Sequence, residues 1–198
     1  VHIVDDDEAV RRSLAMLLGS FGHATRTYAS AEDLLAGVDL LEPGCAVVDI
    51  RMAGMDGLTL QQTLARRAPG IPVVIVTGHA EVALAVRAMK AGAIDFIEKP
   101  YTETDMLAAV NTALSRMQDD QEHRAAAEAA VARIGTLTPR ERDVLRPLVE
   151  GWPNKVIAHT LGISPRTVEI HRSNVLEKLG CRSLAEVVRL VLTAGLEV

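Results

Sequence analysis

The sequence predicts an α/β domain, doubly wound around a parallel five-stranded sheet, then a long helix and an all-α domain of four short helices. Three observations carry this. The first 118 residues alternate short apolar runs with segments of helical period, the pattern of βα units. Nothing from Glu103 to Ile134 is Gly or Pro, and Ala is abundant from Ala125 to Ala132. From Leu137 onward, caps and glycines recur at the spacing of short helices. A length of 198 residues suits two domains of about 100 each. The expected division is a first domain over 1–118, a helical linker over 119–136 and a second domain over 137–198.

Five strands are expected at His2 to Val4, Ala24 to Tyr28, Cys45 to Val48, Pro72 to Val76 and Ile94 to Ile97. The helices between them run from Glu8 to Phe21, Ala31 to Gly37, Leu58 to Ala68 and Val82 to Ala91. In the last of these, Val82, Ala85, Val86 and Met89 fall at i, i+3, i+4 and i+7, a stripe suited to packing on the sheet. The helix starting near Thr102 continues past Arg133, a stiff connection of about 45 Å at 1.5 Å per residue. Leu107, Val110, Leu114 and Met117 keep heptad spacing, but Gln121, Arg124 and Glu128 follow. The apolar seam fails there, which favours a solvated helix over a coiled coil.

In the last third, Thr138, Pro139 and Glu141 form a capping box with Pro at the first helical position, and Ser183 with Glu186 repeats the box. Asn154 is placed to cap a helix to Leu161; Gly162 breaks it, and Ser164 with Pro165 open another that reaches Leu179. Helix, tight turn and helix is the spacing of a helix-turn-helix.

Composition excludes several classes. Hydrophobic residues make up 48% and charged residues 24%, the balance of a soluble globular protein. Apolar runs such as Val73 to Val76 fall far short of the roughly 20 residues that cross a bilayer. The first residues show no basic region or cleavage site, so no secretory signal is expected. The five scattered aromatic residues, Phe21, Tyr28, Phe96, Tyr101 and Trp152, offer no stacking platform for single strands. Cys45 and Cys181 lack the number and spacing of a disulfide framework or zinc site and read as reduced packing residues of a cytoplasmic protein. The net charge of -5 is uneven: residues 1–118 hold 10 basic against 15 acidic side chains, residues 137–198 hold 9 against 7. An acidic front and a back end that tolerates polyanions follow from that split.

The chemistry lies at the strand ends, where ligands bind in parallel sheets. The first strand runs into Asp5, Asp6 and Asp7, the third into Asp49, the fourth into Thr77 and the fifth into Lys99 and Pro100. Converging carboxylates repel unless a cation joins them, and oxygen-only ligands favour magnesium. Taken singly, Asp6 or Asp7 could cap the first helix, Thr77 could end a strand and Lys99 could be a surface charge. Their joint occurrence at successive strand ends points to a site.

These residues make the front half resemble the receiver domain of two-component response regulators, a flavodoxin-like (βα)5 fold. The resemblance implies that Asp49, in Val47-Val48-Asp49-Ile50-Arg51-Met52, accepts a phosphoryl group from a sensor histidine kinase. It implies Mg2+ held by Asp6, Asp49 and the carbonyl of Arg51, with Asp5 reaching the ion through water. Thr77, in Val76-Thr77-Gly78-His79, matches the switch hydroxyl; Lys99 matches the lysine that pairs with phosphoryl oxygens, before a cis bond to Pro100; Phe96 matches the rotating aromatic. Ala53 stands where the family often has Pro.

Residues 137–198 resemble the LuxR or NarL type helix-turn-helix domain, nearest its FixJ branch. The motifs are Leu137-Thr138-Pro139-Arg140-Glu141-Arg142, Gly151-Trp152-Pro153-Asn154-Lys155 and Ile163-Ser164-Pro165-Arg166-Thr167-Val168-Glu169-Ile170-His171-Arg172. In the helix opening at Ser164, Val168, Val175 and Leu179 share a core face. Arg166, Glu169, Ile170 and Ser173 lie opposite, for base edges, and Lys155, Thr167, His171 and Lys178 are placed for phosphates. His171 could instead be a packed, hydrogen-bonded core residue. The expected function is that of a phosphorylation-dependent transcriptional regulator, which is not an enzyme. Phosphorylated at Asp49, it would dimerise and bind double-stranded promoter DNA. The expected homodimer face comprises Val82, Val86, Met89, Asp105 and Met106. Two alternatives stand beside this reading. A haloacid-dehalogenase-like phosphohydrolase would use Asp5 as nucleophile, but Ala9 replaces the usual Thr or Val and no substrate cap is present. A ligand-sensing LuxR-type regulator would lack Asp49 and Lys99.

Overall fold

The computed structural model describes residues 1–78 and 81–196, so His79 of the Thr77 motif lies outside the described residues. The chain divides into two compact units, Val1–Gln121 and Glu122–Val198, with the division inside one long helix.

The first unit is a parallel sheet of β1 (His2–Val4), β2 (Arg26–Tyr28), β3 (Ala46–Asp49), β4 (Val73–Thr77) and β5 (Asp95–Glu98), ordered β2-β1-β3-β4-β5. Helices α1 (Glu8–Ser20), α2 (Ala31–Ala36), α3 (Gly57–Arg67) and α4 (Val82–Lys90) connect the strands, and α5 (Glu103–Gly135) follows β5. β1, β3 and β4 are buried at every residue, as strands covered on both faces must be. Alternation splits their side chains between two cores. Val4, Val48 and Ile75 pack with Leu34, Leu58 and Leu64, whereas Ile3, Val47, Val74 and Val76 pack with Leu14, Leu18, Met106 and Val110. The observed strands sit up to two residues later than expected at their starts. β3 and β4 also end one residue later than expected, which makes Asp49 and Thr77 their last residues.

One expectation is reversed. The stripe of α4 does not pack on the sheet: Val82, Val86 and Met89 are 83%, 45% and 47% exposed. Ala88, fully buried, and Leu84, partly buried, make the inward contact instead.

The second unit contains the end of α5, then α6 (Pro139–Val149), α7 (Asn154–Leu161), α8 (Pro165–Lys178) and α9 (Leu184–Thr193). Ile134 joins Leu145, Val175, Leu179 and Val187 in one core cluster, so that core reaches back into α5 before Leu137. Val144, Leu148, Ile157, Ala158 and Val168 make the other. The box on α6 is complete: Glu141 N donates to Thr138 Oγ1 at 3.3 Å and Thr138 N to Glu141 Oε2 at 2.8 Å. The box on α9 is not reciprocal, since Glu186 Oε2 takes the amide of Arg182 rather than that of Ser183. Asn154 does not cap α7; Pro153 holds the cap position, and Asn154 Oδ1 accepts from Arg172 at 3.5 Å. Gly162 turns the chain between α7 and α8 with φ +64°, where an L side chain would be strained.

Among the described residues, no helix is long and apolar enough to cross a membrane.

Candidate functional site

The parallel register brings the carboxyl ends of β1, β3, β4 and β5 to one edge. Val4 pairs with Val48, Asp49 with Val76 and Thr77 with Glu98, so Asp5, Asp49, Thr77 and Lys99 follow one another at the same level. Lys99 Nζ donates to Asp5 Oδ2 and to Asp49 Oδ1, each at 2.7 Å. Asp5 and Asp49 are nearly buried and Thr77 is fully so. Backbone amides take the remaining carboxylate oxygens: Asp7 N donates to Asp5 Oδ1 at 2.9 Å, and Arg51 N to Asp49 Oδ2 at 2.6 Å. Lys99 is fixed at its backbone by a bond from its N–H to the Thr77 carbonyl at 2.7 Å, and its peptide bond to Pro100 is cis.

The charges follow from that geometry. Burial pushes the Asp49 carboxyl above the usual carboxylate range, against the hydrogen bond and charge of Lys99. Burial also opposes the charge on Lys99, but the bonds to Asp49 and Asp5 outweigh it and hold its pKa above the ordinary value. Burial raises the Cys45 thiol to about 11, which leaves it an inert packing group.

The three aspartates after β1 divide their work. Asp5 faces Lys99. Asp7 caps α1, its Oδ1 accepting from Ala9 N at 2.7 Å and Val10 N at 3.4 Å. Asp6 is exposed, and its Oδ2 accepts from Ala53 N at 3.2 Å. Lys99 thus joins two of the strand-end carboxylates, and Asp6 beside them is bonded to the loop after β3. Among the described residues no group of three His, Cys, Asp or Glu side chains gathers, because the ammonium of Lys99 joins Asp5 to Asp49 while Asp6 turns to the loop after β3. The donors at this edge are still all oxygens, a set that fits a hard divalent cation.

Phe96 is half-buried beside the core under α4. Of the expected dimer face, Val82, Val86, Met89 and Asp105 are exposed, but Met106 is fully buried among Ile3, Leu14 and Val110 and cannot belong to a surface. On α8, Arg166, Glu169, Ile170 and Ser173 are exposed, and Lys155 is exposed on α7. Thr167 shares its hydroxyl with the N-cap Ser164 at 2.8 Å. His171 is half-buried with its Nδ1 enclosed and unpartnered, so it is not a hydrogen-bonded core residue at that atom. Lys178 is engaged elsewhere: Nζ donates to Glu141 Oε2 at 2.8 Å. That bond first, and the Thr138 amide second, lower the Glu141 carboxyl to about 2.

Two residues absent from the sequence reading shape the site. Gly57 is the first residue of α3, packed against Asp49, and Glu32 on α2 accepts from Met55 N at 3.0 Å in the loop after β3. The Asp56-Gly57 pair carried a signal for Gly57, since Asp before a helix is a cap and Gly beside it permits close approach. Nothing local marked Glu32.

Residues 1–111 match the response regulator receiver domain, and residues 135–191 match the luxR family of bacterial regulatory proteins. The chain belongs to the two-component response regulators. It is 48% identical over 196 residues to the transcriptional regulatory protein FixJ of Azorhizobium caulinodans, covering 98% of this chain and 92% of that protein. A C4-dicarboxylate transport regulator, DctR of Rhodobacter capsulatus, is 45% identical over 96% of this chain and 98% of its own. Among solved structures, the response regulator StyR matches with a TM-score of 0.83 at 40% identity, covering 96% of each chain. Full-length FixJ from B. japonicum matches with a TM-score of 0.61 at 41% identity, covering 98% of this chain and 96% of that one. These response regulators are transcriptional regulators rather than enzymes, which sets the phosphohydrolase alternative aside. A receiver domain implies a histidine kinase partner and generally binds Mg2+ at its phosphorylation site; a LuxR-type domain implies DNA binding.

Proposed function

We propose that Asp49 is the phosphoacceptor of this response regulator and that its phosphorylation drives dimerisation and promoter binding. The observation that carries the reading is the Lys99 ammonium bridging Asp5 and Asp49 at 2.7 Å each. A carboxylate is a weak nucleophile, so transfer needs positive charge placed where the phosphoryl oxygens arrive. Asp49 Oδ1 attacks the phosphorus of a phosphohistidine; the P–N bond breaks, a P–O bond forms, and the released imidazole takes up a proton. Lys99 then exchanges a carboxylate oxygen for a phosphoryl oxygen. Asp6, Asp49 and the Arg51 carbonyl would hold Mg2+, with Asp5 reaching it through water; the ion supplies further charge neutralisation.

Thr77, buried at the end of β4, is the hydroxyl drawn to the new oxygens, and Phe96 on β5, paired with Ile75 two residues before Thr77, follows. The surface this changes is that of α4, where Val82, Val86 and Met89 form an exposed apolar patch suited to a second copy, and Asp105 is exposed on α5. A dimer aligns two α8 helices on two half-sites, as a single small module needs for specific binding. Arg166, Glu169, Ile170 and Ser173 then face base edges, and Lys155, Thr167 and His171 face phosphates.

Incubation with phosphoramidate and Mg2+ should add one phosphoryl group to the intact mass, and Asp49→Asn should add none. Equal labelling of the variant would overturn the assignment.

A further inference from the structure

The loop that follows Asp49 is held by two bonds from distant elements. Ala53 N donates to Asp6 Oδ2 at 3.2 Å, tying it to the end of β1. Met55 N donates to Glu32 Oε1 at 3.0 Å, tying it to the first turn of α2. Between them Gly54 has φ +82°, and a β-carbon there would lie 2.9 Å from Glu32 Oε1. The carboxylate of Glu32 thus occupies the space a side chain at 54 would need. Arg51, whose amide bonds Asp49, lies in the same segment. Neither Ala53 nor Met55 donates its amide to its own neighbours: the acceptors are 47 and 23 residues away in sequence.

We propose that Glu32 is a positioning residue for the cation site. By fixing the amide of Met55 it fixes the loop, the loop sets the amide of Ala53, and that amide orients the carboxylate of Asp6, leaving Oδ1 for the metal. Groups that orient metal ligands from behind commonly change affinity 10–100-fold when lost. Glu32 acts one step further back, at the lower end of that range. This rests on the reading of Asp6, Asp49 and Arg51 as the Mg2+ site.

The test separates position from charge. Mg2+ is titrated into the full chain, its Glu32→Ala variant and its Glu32→Gln variant, with binding followed by the 15N–1H shifts of Arg51 and Ala53. Hydrogen exchange of the Met55 and Ala53 amides is measured without metal. Glu32→Gln keeps the acceptor oxygen and removes the charge; Glu32→Ala removes both. The expected result is Mg2+ binding weakened about tenfold in Glu32→Ala, with both amides exchanging faster, and near-unchanged values in Glu32→Gln. Equal weakening in both variants would show a long-range charge effect and overturn the positioning role. Unchanged binding in Glu32→Ala would overturn it as well. If the unsubstituted chain shows no saturable Mg2+ binding, the cation-site reading fails and this inference falls with it.

Discussion

A β-carbon on Gly57 would stand 2.2 Å from the carbonyl oxygen of Asp49. The Gly57 amide also donates to the Ile50 carbonyl at 3.0 Å, so the start of α3 is pressed onto the end of the strand that carries the candidate phosphoacceptor. The helix could not begin there with any other residue unless Asp49 moved.

Gly57→Ala therefore has to displace backbone rather than a flexible side chain. The expected cost is about 3 kcal/mol, the upper part of the range for overpacking. Urea unfolding followed by circular dichroism measures it, and an unchanged midpoint would show that α3 can start elsewhere at no cost.

Lys99→Met leaves Asp5 and Asp49 facing one another with no cation between them. Removing one partner of a buried pair costs about 3–5 kcal/mol; the Lys99 side chain keeps 24% of its surface exposed, which reduces the expected loss to about 2 kcal/mol. Added Mg2+ should raise the thermal midpoint more in this variant than in the unsubstituted chain. An equal rise in both would place the metal away from these carboxylates.

Glu141 links the α6 cap to Lys178 on α8. Its carboxyl is lowered from 4.5 to about 2, so its stabilisation is present in full above pH 4.5 and is lost as the pH falls toward 2. The gap in thermal midpoint between the unsubstituted chain and Glu141→Gln should be widest above pH 4.5 and close below it. A gap independent of pH over that window would mean that the ion pair is not its source.

Lys155 and Lys178 are both basic and both on the helix-turn-helix, but only Lys155 has an ammonium outside the ion pairs of the described residues. Lys155→Ala should weaken binding to all duplexes alike and reduce the salt slope by about one. Lys178→Ala should leave that slope unchanged while lowering thermal stability. Fluorescence anisotropy at several salt concentrations distinguishes them, and an equal slope change in both would return Lys178 to the phosphate contacts.

Among the described residues, sequence patterning found every strand and α-helix, though not the short 3-10 turn Val38–Leu40, because each carries its own pattern: the apolar runs of β3 and β4, the capping residues before α6 and α8, and the glycines that end α4 and α7. The site residues Asp5, Asp49, Thr77 and Lys99 were legible because a parallel sheet sends all strand ends one way. Orientation was less legible. The stripe Val82, Val86 and Met89 has the right period for packing but faces outward, since periodicity names two faces and tertiary contact chooses between them. Met106 was misplaced on the surface for the same reason. Lys178, Asn154 and Glu32 depend on partners 37, 18 and 23 residues away, and no local signal reports a distant partner.

The central claim is that charge added at Asp49 brings two chains together. Sedimentation velocity of the full chain with Mg2+, with and without beryllofluoride, run beside Asp49→Asn, tests it directly. The predicted result is a monomer-to-dimer shift on adding beryllofluoride that the variant does not show. A chain that remains monomeric under both conditions, or a variant that dimerises equally, would contradict it.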